Sequence, residues 1–177
     1  MKNQFDIALS FATEDQALVG DVYQYLKAEG YRVFFAPSQE GQVFLSGKNQ
    51  RQVFYQIFGM EAKYVALFVT KSYIAKTVPM EEARIAITKR AGDGTVIPIY
   101  LDGTPLPSDL LDPKQTNYYS SDNAIEIAVH LGARCRQSDA ASPQQSSAPQ
   151  TAGGMHISNN TAEKQVFIDV SNGPIYL

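Results

Sequence analysis

Residues 5–16 read FDIALSFATEDQ, an apolar run followed at once by polar residues. The run 5–11 has the length and the apolar content of a strand that is buried on both faces. The residues Thr13 to Gln16 have the Thr-x-x-Gln form of a capping box, which predicts that a helix begins there. A buried strand followed directly by a helix is the repeating unit of α/β proteins. The start of the chain therefore predicts an α/β fold.

The same alternation of strand and helix continues to residue 136. Further strands are predicted where β-branched and aromatic residues are frequent, at 31–35, 64–69 and 96–100. Helices are predicted over about 13–29, 48–61, 79–91 and 124–131, with a polar loop over 36–47 and with Ser121 or Asp122 as the cap of the last helix. This order predicts an open parallel sheet with helices on both faces, in which ligands bind at the carboxyl ends of the strands.

Composition excludes several classes of function. Fifteen basic residues against 18 acidic ones give a net charge of -3, and without a basic block we expect no nucleic-acid partner. With the single cysteine Cys135 and two histidines we expect no disulfide, no metal site and a cytoplasmic location. The apolar runs are far shorter than the roughly 20 residues of a membrane helix, so we expect no membrane partner.

The chain changes character after Arg136. Residues 137–152, QSDAASPQQSSAPQTA, contain no large apolar side chain and are predicted to form a flexible linker. Residues 153–177 again contain apolar residues in alternation and a turn at 172–174, which predicts a short β-hairpin tail. This tail is too short for a core of its own. The predicted organisation is a domain over 1–136, the linker 137–152 and the tail 153–177.

Two acidic residues, Glu81 and Glu82, fall in the first turn of the helix that is predicted to begin near Pro79. The helix dipole stabilises a carboxylate there by about 0.3 to 1 kcal/mol, which fits a functional acid and equally fits an ordinary helix start. At 100° per residue, Glu82 borders the apolar face of the helix and Glu81 lies farther out. Glu82 is therefore expected to be half covered, held firmly yet able to reach a ligand.

Several blocks of this sequence, in this order, resemble bacterial Toll/interleukin-1 receptor (TIR) domains over about residues 4–132. They are FDIALSFATED (5–15), RVFF (32–35), the loop around Gly47-Lys48, KYVALFVTKSYIAK (63–76) and AKTVPMEEARIA (75–86). The resemblance implies a flavodoxin-like open parallel sheet of about five strands. It also implies cleavage of NAD between nicotinamide and ribose, in bacterial antiphage defence signalling.

The resemblance assigns the catalytic role to Glu82, which aligns with the glutamate of the family's Trp-x-x-x-Glu motif. It implies a substrate site lined by Ser10, Phe11, Ala12, Phe35, Ala36, Ser46, Lys48 and Tyr73. Val78 and Ser46 replace the aromatic residues that the family often has, and the chain contains no tryptophan. Stacking on the substrate is then expected from Phe11, Phe35, Phe44 or Tyr73, although Phe11 could equally be a core residue and Lys48 a solvated one.

One carboxylate is chemically sufficient for NAD cleavage. Ordinary glycosidases need a second acid to protonate the leaving oxygen, whereas nicotinamide leaves a cationic linkage as a neutral molecule. NAD is thus expected as the substrate, no cofactor is needed, and the products are nicotinamide with ADP-ribose or a cyclic isomer. The resemblance further implies self-association through the loop 36–47. Because residues 1–177 contain no second large domain, a separate sensor or effector protein is also expected. A non-catalytic TIR assembly module and a nucleoside deoxyribosyltransferase-like enzyme are the alternatives.

Overall fold

The structure, a computed structural model, describes residues 3–90, 92–112 and 114–140. The strands are β1 (Phe5–Ser10), β2 (Val33–Phe34), β3 (Ala62–Val69), β4 (Val96–Tyr100) and β5 (Tyr119–Ser120). The helices are α1 (Gln16–Ala28), α2 (Gln39–Leu45), α3 (Gln50–Gln56), α4 (Lys71–Ala75), α5 (Thr77–Lys89) and α6 (Ala124–Ala140). A 3₁₀ turn (Thr13–Asp15) precedes α1, and a π-helical turn (Ile57–Glu61) follows α3.

The five strands form one parallel sheet in the order β2-β1-β3-β4-β5. This is the flavodoxin-like order, and it confirms the predicted fold class. The order reverses between β1 and β3, because the chain leaves β1 toward one edge of the sheet and returns to build the other. At such a reversal the following loops diverge and leave a crevice at the carboxyl ends of the strands.

Apolar side chains cover both faces of the sheet. Ile7 and Leu9 of β1 pack in the cluster that includes residues of α1 and α6, whereas Ala8 packs in the cluster that includes residues of α3, α4 and α5. Because side chains alternate along a strand, Ser10 lies on the same face as Ala8. The last residue of β1 is therefore directed toward α5.

The polar loop predicted over 36–47 is wrong, because α2 occupies most of it. Ser38 caps this helix by accepting a hydrogen bond from the backbone N–H of Gly41. The helix approaches β2 so closely that a Cβ at Gly41 would lie 2.4 Å from the carbonyl oxygen of Phe35. Phe44, inside α2, contacts the rings of Phe5 and Phe34 edge to face. Tertiary packing outweighs the polar composition here.

Helix starts were predicted less well than the four predicted strands, although β5 was not predicted at all. The Thr13–Gln16 capping box does not form, because the 3₁₀ turn precedes α1 and no side chain caps either element. Asn123, and neither Ser121 nor Asp122, accepts hydrogen bonds from the first N–H groups of α6. α5 begins at Thr77, so that Pro79 lies within its first turn, where proline costs no helical hydrogen bond.

α6 is longer than the sequence predicted. It continues past Leu131 to Ala140 and so includes the first four residues of the expected linker, 137–140. Glutamine and alanine are good helix formers, and a composition that lacks large apolar residues does not prevent a helix from continuing. The rest of the predicted linker and the whole β tail, residues 141–177, lie outside the described residues.

Candidate active site

Glu82 lies on α5 where this helix packs against the carboxyl end of β1. Only 8% of the residue is exposed, so the expected half-covered position is wrong. The prediction from helix periodicity placed Glu82 relative to the apolar residues of its own helix and took no account of neighbouring elements. In the structure the buried residues of α5 are Pro79, Glu82, Ala83 and Ala86, because α4 and β1 also pack against its first turns. The carboxyl group is therefore enclosed by protein.

A chain of hydrogen bonds connects Glu82 to two buried hydroxyl groups. The Ser10 hydroxyl lies 2.6 Å from Oε2 of Glu82 and donates to it when the carboxyl group is ionised. The Tyr73 hydroxyl lies 2.7 Å from Ser10 Oγ and 3.0 Å from the carbonyl oxygen of Pro79. Ser10 and Tyr73 are both fully buried. We call the Glu82 carboxyl group, the hydroxyl groups of Ser10 and Tyr73, and the Pro79 carbonyl group the hydroxyl chain.

The surroundings of Glu82 favour its protonated form. Burial raises the pKa of Glu82 to about 8; the hydrogen bond from Ser10 opposes this rise, and the negative charge of Glu81 adds to it. Burial also raises the pKa of Tyr73 well above its usual value, and the neighbouring Glu82 raises it further. A carboxyl group that changes charge near neutral pH is suited to acid–base or electrostatic chemistry.

Glu81, the neighbour of Glu82 in the sequence, has a different environment. Its carboxylate accepts a hydrogen bond from Arg51 Nε at 2.6 Å, with 32% of the Glu81 side chain and 83% of the Arg51 side chain exposed. Such an exposed ion pair contributes little to stability. The structure thus assigns different environments to two acids that the sequence left nearly equivalent.

A second polar group follows the carboxyl ends of β1 and β3. Thr70 caps α4 by accepting a hydrogen bond from the backbone N–H of Tyr73, and its hydroxyl donates to Asp15 at 2.8 Å. Burial raises the pKa of Asp15, although the bond from Thr70 opposes the rise. Lys76, at the start of α5, pairs with Glu14 at 2.5 Å. These contacts fix α4, and thereby Tyr73, to the loop after β1.

This second polar group was not predicted from the sequence. The signal for it was nevertheless available, because Asp15 and Thr70 each follow a predicted strand within a few residues. The carboxyl ends of parallel strands share one edge of the sheet, so polar residues after two strands could have been expected to meet. The pairing of Thr70 with Asp15 in particular depends on the strand order.

The remaining residues predicted to bind substrate lie in four different settings. Phe11 stacks on Phe35 at 5.3 Å between ring centroids, and Phe35 stacks in turn on Tyr23 at 4.9 Å. Ala12 is buried, and the carbonyl of Ala36 accepts a hydrogen bond from the side chain of Gln42. Ser46 and Lys48 are exposed between α2 and α3, with Lys48 Nζ 3.7 Å from the ring centroid of Phe44.

Of the predicted site residues, the structure joins Ser10, Tyr73 and Glu82 by hydrogen bonds, and it joins Phe11 to Phe35 by stacking. An open surface depression lies beside Phe35 and the beginning of α1, and Ser10, Tyr73 and Glu82 do not line it. Substrate contacts by Ser10, Phe11, Ala12, Phe35, Ala36, Ser46, Lys48 and Tyr73 stay predictions.

Two further features concern the described residues only. Among residues 3–90, 92–112 and 114–140, no three His, Cys, Asp or Glu side chains are grouped as metal ligands would be. None of the helices in this part of the chain has the length and apolar character that crossing a membrane requires.

Comparison with known proteins gives a family match and similar structures. The model of the TIR domain family matches residues 7–129. A protein of Aquimarina amphilecti named 3' cyclic ADP-D-ribose synthase AaTIR is 33% identical over 137 residues, which are 73% of this chain and 40% of that protein. The chain thus spans about two fifths of the length of this relative.

The similar structures show the fold. One is the TIR domain of the Toll-related receptor TRR-2 of Hydra magnipapillata, with 13% identity, a TM-score of 0.58 and coverage of 75% of this chain and 98% of that one. Another is the metazoan TIR-STING receptor of C. gigas, with 16% identity, a TM-score of 0.53 and coverage of 73% and 40%.

Proposed function

The chain belongs to the TIR domain family, and we propose that it cleaves NAD between nicotinamide and ribose with Glu82 as the catalytic carboxylate. The observation that carries the proposal is the position of Glu82, a buried carboxyl group beside the end of β1, where the strand order reverses. The similarity to a relative named as a cyclic ADP-ribose synthase supports NAD as the substrate.

The chemistry requires one carboxylate in its ionised form. The bond between C1 of the ribose and the pyridinium nitrogen breaks, and its electron pair leaves with nicotinamide, which becomes neutral. The positive charge that develops on the ribose is stabilised by a nearby carboxylate whose position is fixed beforehand. Two buried hydroxyl groups, Ser10 and Tyr73, hold Glu82 in place in this way. No general acid is needed.

The second half of the reaction decides the product. Attack by water on the ribosyl cation yields ADP-ribose and releases a proton, whereas attack by a group of the same molecule yields a cyclic ADP-ribose isomer. The name of the Aquimarina amphilecti relative favours the cyclic product. We further propose that this product is made in the cytoplasm and is a signal in bacterial antiphage defence. A separate sensor or effector protein would act together with this chain.

Self-association is also part of the proposal. NAD cannot contact a carboxyl group that is 8% exposed unless the surrounding segments move, and assembly with a second copy would supply the free energy for such a movement. The segment 36–47 is the expected contact. It contains Val43, an apolar side chain of which 71% is exposed.

The test is incubation of the concentrated full-length protein with NAD, with and without a crowding agent, followed by chromatography of the products. We expect release of nicotinamide that falls at least about 100-fold in Glu82→Gln, the loss typical when one preorganised electrostatic group is removed. Glu81→Gln is the matched control, since it removes one charge from the same turn.

The outcomes separate the alternatives. Full activity in Glu82→Gln would contradict the assignment of the catalytic residue. A folded protein that releases no nicotinamide under crowding would contradict the enzymatic proposal and favour a non-catalytic assembly module. Turnover of deoxynucleosides in place of NAD would indicate the deoxyribosyltransferase-like alternative.

A further inference from the structure

The hydroxyl chain contains more contacts than it has hydroxyl protons. Its three contacts join Glu82 to Ser10, Ser10 to Tyr73 and Tyr73 to the carbonyl of Pro79. A serine and a tyrosine supply one proton each, and a carbonyl supplies none. The third proton has to come from the carboxyl group of Glu82, so the protonation state of Glu82 determines which contacts are hydrogen bonds.

When Glu82 is protonated, all three contacts are hydrogen bonds, and each is donated in the direction from Glu82 toward Pro79. The Glu82 carboxyl donates to Ser10, Ser10 donates to Tyr73, and Tyr73 donates to the carbonyl oxygen of Pro79. Pro79 lies in the first turn of α5 and Tyr73 lies on α4. The neutral chain therefore connects α4 to the start of α5 as well as to β1.

When Glu82 is ionised, the direction reverses. Ser10 now donates to the carboxylate, and Tyr73 donates to Ser10, which strengthens the donation by Ser10. No proton is left between Tyr73 and Pro79. Ionisation of the carboxyl group thus removes the hydrogen bond from Tyr73 to Pro79, which joins α4 to α5. It strengthens the hydrogen bond from Ser10 to the Glu82 carboxylate.

From this proton count we infer that Ser10 and Tyr73 are positioning residues with opposite effects on the ionisation of Glu82, Ser10 favouring the carboxylate and Tyr73 favouring the neutral acid. This inference deepens the proposed function and rests on it. The two hydroxyl groups act through Glu82, because both are fully buried.

Counting bonds gives the direction for each residue. Without the Tyr73 hydroxyl, the neutral chain keeps one of its three bonds and the ionised chain keeps one of its two, so the neutral form loses more. Without the Ser10 hydroxyl, both forms keep only the bond from Tyr73 to Pro79, and Glu82 has no partner in the chain. A buried carboxylate without a donor costs more free energy than a buried neutral carboxyl group without a partner, so the ionised form loses more. Tyr73→Phe should therefore lower the pKa of Glu82, and Ser10→Ala should raise it.

The other charged groups around Glu82 stay the same in these variants. Glu81, on α5, raises the pKa of Glu82, and it is paired with Arg51 from α3. Asp15 contacts Thr70 at the start of α4, and the π-helical turn approaches α5 near Lys89, at its other end. None of these side chains is altered by Ser10→Ala or Tyr73→Phe.

The experiment is the pH profile of kcat and KM for NAD in the full-length protein, from about pH 5.5 to 9.5. The unaltered protein, Ser10→Ala and Tyr73→Phe are compared with Ser72→Ala, which removes a hydroxyl group from the same helix as Tyr73. We expect kcat/KM, whose pH dependence reports the free protein, to rise with pH around a midpoint near 8 in the unaltered protein. A midpoint one unit higher in Ser10→Ala would lower kcat/KM about tenfold at pH 7.

The midpoint of Tyr73→Phe should move the other way, by about half a unit to one unit, which raises kcat/KM at pH 7 about threefold to sixfold. Ser72→Ala should keep the original midpoint. In all variants KM should stay within about a factor of two, since both hydroxyl groups are fully buried and act through Glu82. Midpoints that move in the same direction, a loss of kcat that is uniform across pH, or a tenfold rise in KM would overturn the inference.

A second readout does not depend on NAD turnover. The pKa of Glu82 can be obtained from the pH dependence of the midpoint of chemical unfolding, with Glu82→Gln as the reference. Opposite shifts of this value in Ser10→Ala and Tyr73→Phe would support the inference even if the protein cleaved no NAD and the proposed function failed. Equal shifts would overturn it. If Ser10→Ala does not fold, the sign of the shift in Tyr73→Phe decides.

Discussion

A carboxyl group lies at each end of β1, and the pKa values of the two groups are shifted in opposite directions. Near the amino end, Asp6 contacts the guanidinium of Arg32 at 2.5 Å and accepts the backbone N–H of Arg32 at 2.8 Å. At the carboxyl end, Glu82 has hydroxyl partners. Burial raises the pKa of both groups, but the bonds from Arg32 bring the pKa of Asp6 below its usual value, whereas that of Glu82 rises to about 8.

This difference separates a structural carboxylate from one that can react. An opposite charge fixes Asp6 in its ionised form at every pH near neutrality. Hydroxyl groups can bind both forms of a carboxyl group, because a hydroxyl group both donates and accepts. Glu82 thus keeps the ability to gain and lose a proton. This ability follows from its hydroxyl partners and could not be predicted from its position in the sequence.

The largest expected effect is on the stability of Glu82→Gln. The folded protein holds a proton on Glu82 up to about pH 8, whereas the unfolded chain loses it near pH 4.5. The free energy of unfolding should therefore fall as pH rises between these values, by about 1.4 kcal/mol per pH unit and roughly 5 kcal/mol in all. Glutamine cannot ionise, and its amide can donate to Ser10, so the variant should lack this fall.

The measurement is urea unfolding of both proteins at several pH values between about 5 and 9, followed by fluorescence of the tyrosines or by circular dichroism. Other groups titrate in both proteins, so the difference between the two curves isolates Glu82. A difference that does not change with pH would show that the carboxyl group is ionised throughout, and the contrast with Asp6 would disappear.

A smaller effect is expected at the amino end of β1 from Arg32→Ala. This change leaves Asp6 partly buried without its opposite charge, and we expect a loss of about 1 kcal/mol at neutral pH, since the pair is partly screened by solvent. Because the pKa of Asp6 is depressed, the contribution is present above the unfolded pKa near 4 and is lost as pH falls. Thermal unfolding at about pH 7 and about pH 3 measures it.

Asp6→Asn is the matched control, since it removes the carboxylate but keeps its shape. The double variant of Asp6 and Arg32 should recover part of the loss, as removal of both partners leaves no unpaired buried charge. If Arg32→Ala were destabilising by the same amount at both pH values, lost packing of the arginine side chain would explain the effect better than pairing with Asp6.

The smallest effect is expected for Glu81→Gln. Arg51 is mostly exposed, so loss of the pair should change the free energy of unfolding by less than about 0.5 kcal/mol. Because the charge of Glu81 raises the pKa of Glu82, the pH profile of NAD cleavage should move slightly toward lower pH. A titration of nicotinamide release against pH, compared with the unaltered protein, tests this. A loss of activity as large as in Glu82→Gln would mean that the two acids have exchanged roles.

Particular residues show how far the sequence alone could lead. The strands at 64–69 and 96–100 were predicted almost to their ends, because a run of apolar residues that is buried on both faces has few other structures available. Glu82 was preferred over Glu81 from helix periodicity and from the resemblance, and the structure places it in the enclosed setting. The helices at 39–45 and 71–75 were missed, since a helix of two turns or fewer has little periodicity of its own and depends on tertiary packing.

The sequence by itself thus determined an α/β sheet, a TIR domain and a short list of acids, because periodicity and short motifs are local properties of the chain. Tertiary structure alone decided the charge of those acids. Ser10 and Glu82 are 72 residues apart, and Ser10 and Tyr73 are 63 apart. Only the strand order and the packing of α4 and α5 on β1 bring them within hydrogen-bonding distance. A pKa depends on burial and on the neighbours in space, and neither is encoded by the spacing of residues along the chain.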